Sequence, residues 1–175
     1  MRKTMSAVSA LVLVVAGTGV LAGCGGRARG HVESQGTVGG APFSAADAAF
    51  LTGKPGVTSG PFVWLSSSVC QGADQKFALF FYFDSQLSVP SSGIYTIGTS
   101  AGATVVRVSY SICDASGLNC KGGDDDYSGS TGTVTVKSSS AATLDAAFDV
   151  KIVAKHSDGS TTSDHVSGTF DAVRC

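Results

Sequence analysis

The stretch LDAAFDVKIVAK, Leu144 to Lys155, decides the fold class. Read with a period of two, Leu144, Ala146, Phe148, Val150, Ile152 and Ala154 share one face. Asp145, Asp149, Lys151 and Lys155 share the other. A helix would instead bring Asp145, Asp149 and Ile152 together and mix charge with core. Successive strand residues point to opposite faces, so the stretch reads as a strand with one side buried. The alternation continues on both sides. Upstream, GTVTVK sets Val134 and Val136 against Thr133, Thr135 and Lys137. Downstream, the polar turn HSDGSTTSD, 156–164, leads into HVSGTFDAVRC. There Val166, Phe170 and Ala172 alternate with Ser167, Thr169 and Asp171. Consecutive strands with short links predict an antiparallel meander.

Working toward the N-terminus, ATVVRVSYSI places Val106, Val108, Tyr110 and Ile112 opposite Arg107, Ser109 and Ser111. KFALFFYF, 76–83, is apolar on both faces. Phe77, Leu79, Phe81 and Phe83 point one way, and Ala78, Phe80 and Tyr82 the other, as in a strand covered on two sides. SGIYTIG, FVWLSSS and GTVGGAPF are further strand candidates. SAADAAFL, 44–51, is the exception, because Ser44 with Asp47 three residues on matches a helix N-terminus. The expected fold is all-β: an antiparallel sandwich or small up-and-down barrel of about seven or eight strands with one short helix.

The chain begins differently. Arg2 and Lys3 precede a small apolar run, Ala7 to Ala22, shorter than the ~20 residues of a membrane span. Charged start, apolar middle and small-residue exit form a secretory signal. Its exit, Leu21-Ala22-Gly23-Cys24, resembles the lipobox of bacterial lipoproteins. A plain signal peptide with a chance cysteine is the competing reading. The resemblance implies acylation of Cys24, palmitate-type chains included, and cleavage just before it. Two or three chains hold a protein on a membrane surface where one holds it only marginally. Gly25, where an aspartate would retain the protein at the inner membrane, implies the outer membrane of a two-membrane cell. The expected organisation is a signal peptide over 1–23, a lipidated N-terminus and flexible tether over 24–36, and one β-domain over 37–175.

Removing the signal leaves ten basic against thirteen acidic residues, a net charge of −3. Nucleic-acid binding needs clustered Lys and Arg, which this sequence lacks. Beyond Cys24, an exported chain with an even number of cysteines predicts disulfides. The preferred pairs are Cys113 with Cys120, flanking DASGLN, and Cys70 with Cys175. A zinc site is the rival, with spacings unlike those of paired knuckles.

The second half carries a further pattern: SGSTGTVTVKS, LDAAFDVKI and a terminal VSGTFDAVRC, preceded by SGIYTIG and TVGGAPFSAADA. Together these resemble a group of small lipoproteins abundant in myxobacteria and related proteobacteria. Ala147 stands where that group often has Gly. The resemblance implies no activity and no catalytic residue.

No reactive constellation stands out. His31 falls in the tether. His156 and His165 bracket one loop and, with Asp158 or Asp164, can be drawn as a metal site, but solvated loop histidines are the expectation. Asp124, Asp125 and Asp126 are weak calcium candidates without EF-hand spacing. Asp145 and Asp149 are ~13 Å apart along a strand, too far for a glycosidase pair. GxSxG is absent, and no histidine is placed for a serine triad. Trp64, among apolar neighbours, reads as core. The face bearing Phe80 and Tyr82 reads as ordinary packing, with the lining of an apolar cavity as the alternative. The expectation is a membrane-anchored, non-catalytic envelope domain without a cofactor, held by lipid on Cys24, with a surface-binding or structural role. The alternatives are a barrel carrying a small apolar ligand and a metal-assisted envelope enzyme, and an envelope protein is the other partner considered.

Overall fold

A computed structural model describes residues 30–52, 60–66, 77–83, 89–98, 105–113, 120–122 and 125–175, with backbone alone at 77, 105, 106, 113, 120 and 121. The strands are β1 (His31–Val38), β2 (Ala41–Pro42), β3 (Asp47–Leu51), β4 (Phe62–Ser66), β5 (Phe77–Tyr82) and β6 (Gly93–Ile97). They continue with β7 (Val105–Cys113), β8 (Cys120–Lys121), β9 (Thr131–Ser139), β10 (Thr143–Lys155) and β11 (Thr161–Arg174). Eight of them form a nearly closed barrel in the order β10-β9-β6-β7-β5-β4-β3-β11, and β11 returns to β10. The all-β expectation holds, as a barrel.

The meander predicted from the C-terminal third is present. β10 pairs antiparallel with β11 from Thr143↔Val173 to Lys155↔Thr161, and with β9 along its other edge. Gly159, at φ +84°, turns the hairpin, and its N–H donates to His156 O at 2.9 Å. Lys137 is an extra residue in β9, because the register shifts between Asp145 and Ala146; its Nζ lies 3.3 Å from Asp145 Oδ1. Gly132 needs to be glycine. It sits at φ +129°, opposite Val150, and a Cβ there would overlap the Asp149 carbonyl oxygen.

All six residues assigned to the apolar face of β10 are buried. They meet Val63 and Leu65 of β4, Leu79 and Phe81 of β5, Val108 and Tyr110 of β7, and Val166 and Phe170 of β11 in one core. Phe81, Phe148 and Phe170 fill the barrel's centre, with ring centroids 5.4 Å apart for Phe81–Phe148 and 6.1 Å for the other two pairs.

Three expectations are corrected. Residues 47–51 form a strand, and no helix occurs among the described residues. Asp47 to Phe50 are all buried. Ala48 and Phe50 enter the main core, and Ala49 packs on Trp64 outside the barrel wall. β3 is paired to β4 at five positions and to β11 at two. Alanine's helix preference amounts to less than about 0.7 kcal/mol per residue over ordinary residues. Full burial of Phe50 alone contributes about 1.5–3 kcal/mol. Second, residues 31–36, read as tether, belong to β1 and pair with Asp171 to Val166. HVESQG alternates weakly: Val32 is buried and Ser34 half-buried, while His31, Glu33 and Gln35 are exposed. Third, the barrel is not simply up-and-down. β7 lies between β5 and β6, and the pairs β6–β7 and β3–β11 are parallel.

Phe148→Ala is expected to lower stability by about 3–5 kcal/mol, because the rings around it cannot close the space. Urea unfolding checks this as a lower midpoint at unchanged slope. Asp149→Ala, on the exposed face of the same strand, should move stability by no more than about 0.5 kcal/mol.

Candidate functional site

Two places stand apart from ordinary core packing. The first is a polar network where the β10–β11 hairpin meets the segment before β9. His156 follows β10 directly. Its Nδ1 lies 2.9 Å from Asp125 Oδ2, and its Nε2 lies 3.1 Å from Thr162 Oγ1 on β11. The Tyr110 ring on β7 packs edge-on against Tyr127, with centroids 5.3 Å apart. Beside them, the Tyr127 hydroxyl reaches the carbonyl oxygens of Tyr110 and Gly122. Asp164 is buried and accepts from Thr37 Oγ1 at 2.7 Å and from Gly40 N at 3.0 Å, fastening the β1–β2 turn to β11.

The order carboxylate, imidazole, hydroxyl is that of a hydrolase triad, and sequence reasoning missed it because Asp125 lies in a segment distant in sequence from the hairpin that carries His156 and Thr162. Its details fit a structural role better. Asp125 Oδ2 accepts no aligned hydrogen bond despite its closeness, so it does not fix the imidazole as a triad carboxylate must. His156 N and O are both committed to the hairpin turn, donating to Ser160 O and accepting from Gly159 N.

Among the described residues, the histidines do not converge on a metal site. His165 turns outward, with its Nε2 2.7 Å from Asp149 Oδ1 on the exposed face. Asp158 Oδ1 accepts from Ser160 N and Oγ, which holds its carboxyl below the usual carboxylate range. Among the described residues, no group of three or more His, Cys, Asp or Glu side chains can hold a metal ion. Asp126 is occupied with Ser128 N at 2.9 Å, away from the His156 contact of Asp125. Asp124 lies outside the described residues, as do Cys24 and Cys70. The backbones of Cys113 and Cys120 are direct cross-strand partners. Such partners have Cα atoms about 4.5–5.5 Å apart, within disulfide range. Cys175 is disulfide-bonded, and its N–H donates to Phe50 O.

The second place is aromatic and lies outside the barrel. On β4 and β5, Phe62, Trp64, Phe80 and Tyr82 project away from the core, opposite Val63, Leu65, Leu79 and Phe81. Ring centroids are 5.3 Å apart for Phe62–Trp64, 5.8 Å for Phe62–Tyr82 and 6.2 Å for Phe80–Tyr82. Trp64 is buried, as expected, in a separate cluster with Ala49, and Phe80 packs against it, while Tyr82 on the same side is exposed. The aromatic composition of the two strands was visible in sequence. Which face turned inward was not.

Burial raises the pKa of Tyr127, and to a lesser degree that of Tyr110, above the ordinary value near 10. The unfolded chain ionises these phenols near 10, so the stability they contribute is complete below that pH and lost as pH rises beyond it. Tyr127→Phe should therefore flatten the fall in melting temperature between pH 9 and pH 11 (about one unit either side of the free phenol). At neutral pH it should cost about 1–3 kcal/mol for carbonyls left without their donor. An unchanged alkaline slope would show that another group controls it. No known family, curated protein or solved structure matches the chain.

Proposed function

We propose that this chain is a lipid-anchored protein of the bacterial cell envelope, whose barrel is a non-catalytic binding or structural module. The observation that carries the reading is Leu21-Ala22-Gly23-Cys24 at the exit of an apolar run, with β1 beginning only seven residues after the cysteine. A short apolar run followed at once by a folded domain suits a cleaved and acylated leader. The outer membrane is the proposed address, since Gly25 follows the cysteine. The network at His156 supports the non-catalytic part, because its groups serve the hairpin. The filled centre at Phe81, Phe148 and Phe170 speaks against a roomy carrier at that level of the barrel. We further propose that Cys113 and Cys120 are bridged and that Cys175 pairs with Cys70.

Cys24→Ser is expected to abolish acylation and leave the leader uncut by the lipoprotein peptidase. Intact-mass analysis of membrane and soluble fractions checks this. A wild-type chain carrying no acyl group on Cys24, or acylated mature chain in the mutant, would overturn the anchor. Reducing the proposed bridges should destabilise the domain by about 2–5 kcal/mol. Free thiols at all four positions in the exported protein would remove that part.

A further inference from the structure

From the outer aromatic face and the place where the chain enters the barrel, we infer that the face formed by β3, β4 and β5 lies against the lipid surface that holds the acyl anchor. This rests on the anchored reading above and adds an orientation to it. The face is built of two cross-strand rows. One runs Ala49, Trp64, Phe80; the other runs Leu51, Phe62, Tyr82. The second row is the open one: Leu51 and Tyr82 are each 38% exposed on either side of half-buried Phe62, whereas Ala49 and Trp64 are buried. Arg107, exposed on β7, is the cross-strand neighbour of Tyr82 and places a cation at the rim.

The occupant is identified by the length of chain before the barrel and by where that chain arrives. Gly30 is wedged between β3 and β11 so closely that a Cβ would overlap the carbonyl oxygens of Ala48 and Asp171. The chain therefore joins the barrel at β3, the first strand of the aromatic face. From Ala49 to Trp64 is one strand spacing, and to Phe80 two, or roughly 10 Å. Cys24 stands six residues before Gly30, a reach of at most about 20 Å even when fully extended. That leash confines the barrel to the membrane surface and sets this face beside the anchor. Arg27 and Arg29 lie within it and suit anionic headgroups.

The residue types agree. Trp and Tyr concentrate at membrane interfaces because each joins an apolar ring to a polar tip.

Trp64 is the sole tryptophan, so its emission reads this face directly. The mature acylated protein is reconstituted into phosphatidylcholine–phosphatidylglycerol vesicles and floated, and the lipid is then exchanged for its dibrominated form. Expected is a loss of Trp64 emission in the brominated vesicles relative to the unbrominated ones. Replacing Leu51 and Tyr82 together by serine should reduce the loss while flotation and melting temperature hold. If acylated protein floats but its emission is the same in both lipids, the docking face is overturned and the anchor stands. If the native protein carries no acyl group, the anchor falls and the docking inference with it. A dimer in detergent that the Leu51→Ser, Tyr82→Ser pair dissociates would assign the face to a second copy and overturn the lipid surface as its occupant.

Discussion

The barrel depends on the contact of three phenyl rings, Phe81, Phe148 and Phe170, contributed by β5, β10 and β11. β5 and β11 lie well apart in the sheet, with β4 and β3 between them along one path. The rings hold opposite walls together, and a small closed sheet has room for little else at that level. Everything else follows from keeping those three side chains inside. The period-two alternation of β10 and β11, the bulge at Lys137 and the glycine at 132 all serve to keep the ladders in register around them.

The elements that were legible from the sequence are those whose two faces differ. β7, β9, β10 and β11 separate apolar from polar residues cleanly, so local pattern alone placed them. β3 was misread because Asp47-Ala48-Ala49-Phe50 is buried on both faces and shows no alternation. β1 was misread for the opposite reason: it is mostly polar and exposed, and only its pairing with β11 makes it a strand. The placement of β7 between β5 and β6 was not legible either. Each of these strands carries the same kind of pattern, and the pattern does not say which neighbour it takes. The network of Asp125, His156 and Thr162 exists only after the hairpin has folded onto the segment before β9.

The two special surfaces divide the chemistry of the molecule. The polar groups gather where the β10–β11 hairpin ends, and there Asp164 pairs with Thr37 and Gly40 and His156 with Thr162, while the buried Asp125 Oδ2 accepts no aligned hydrogen bond. Such a network gives the barrel end one conformation and leaves its groups little freedom for reaction. The aromatic groups gather on the outside of β4 and β5, where a water-facing barrel would place Ser, Thr and Lys, as it does on the outer side of β9. The contrast between the walls is the main asymmetry of the fold.

The seam between β1 and β11 has a consequence for kinetics. Gln35 and Ser167 are cross-strand neighbours although 132 residues separate them. A pairing of such range forms late, since the entropy of closing so long a loop must be met before its contacts stabilise it. The hairpin of β10 and β11 can form on its own, but the seam waits for nearly the whole chain. The barrel is therefore sealed only once β11, at the end of the chain, has returned to β1.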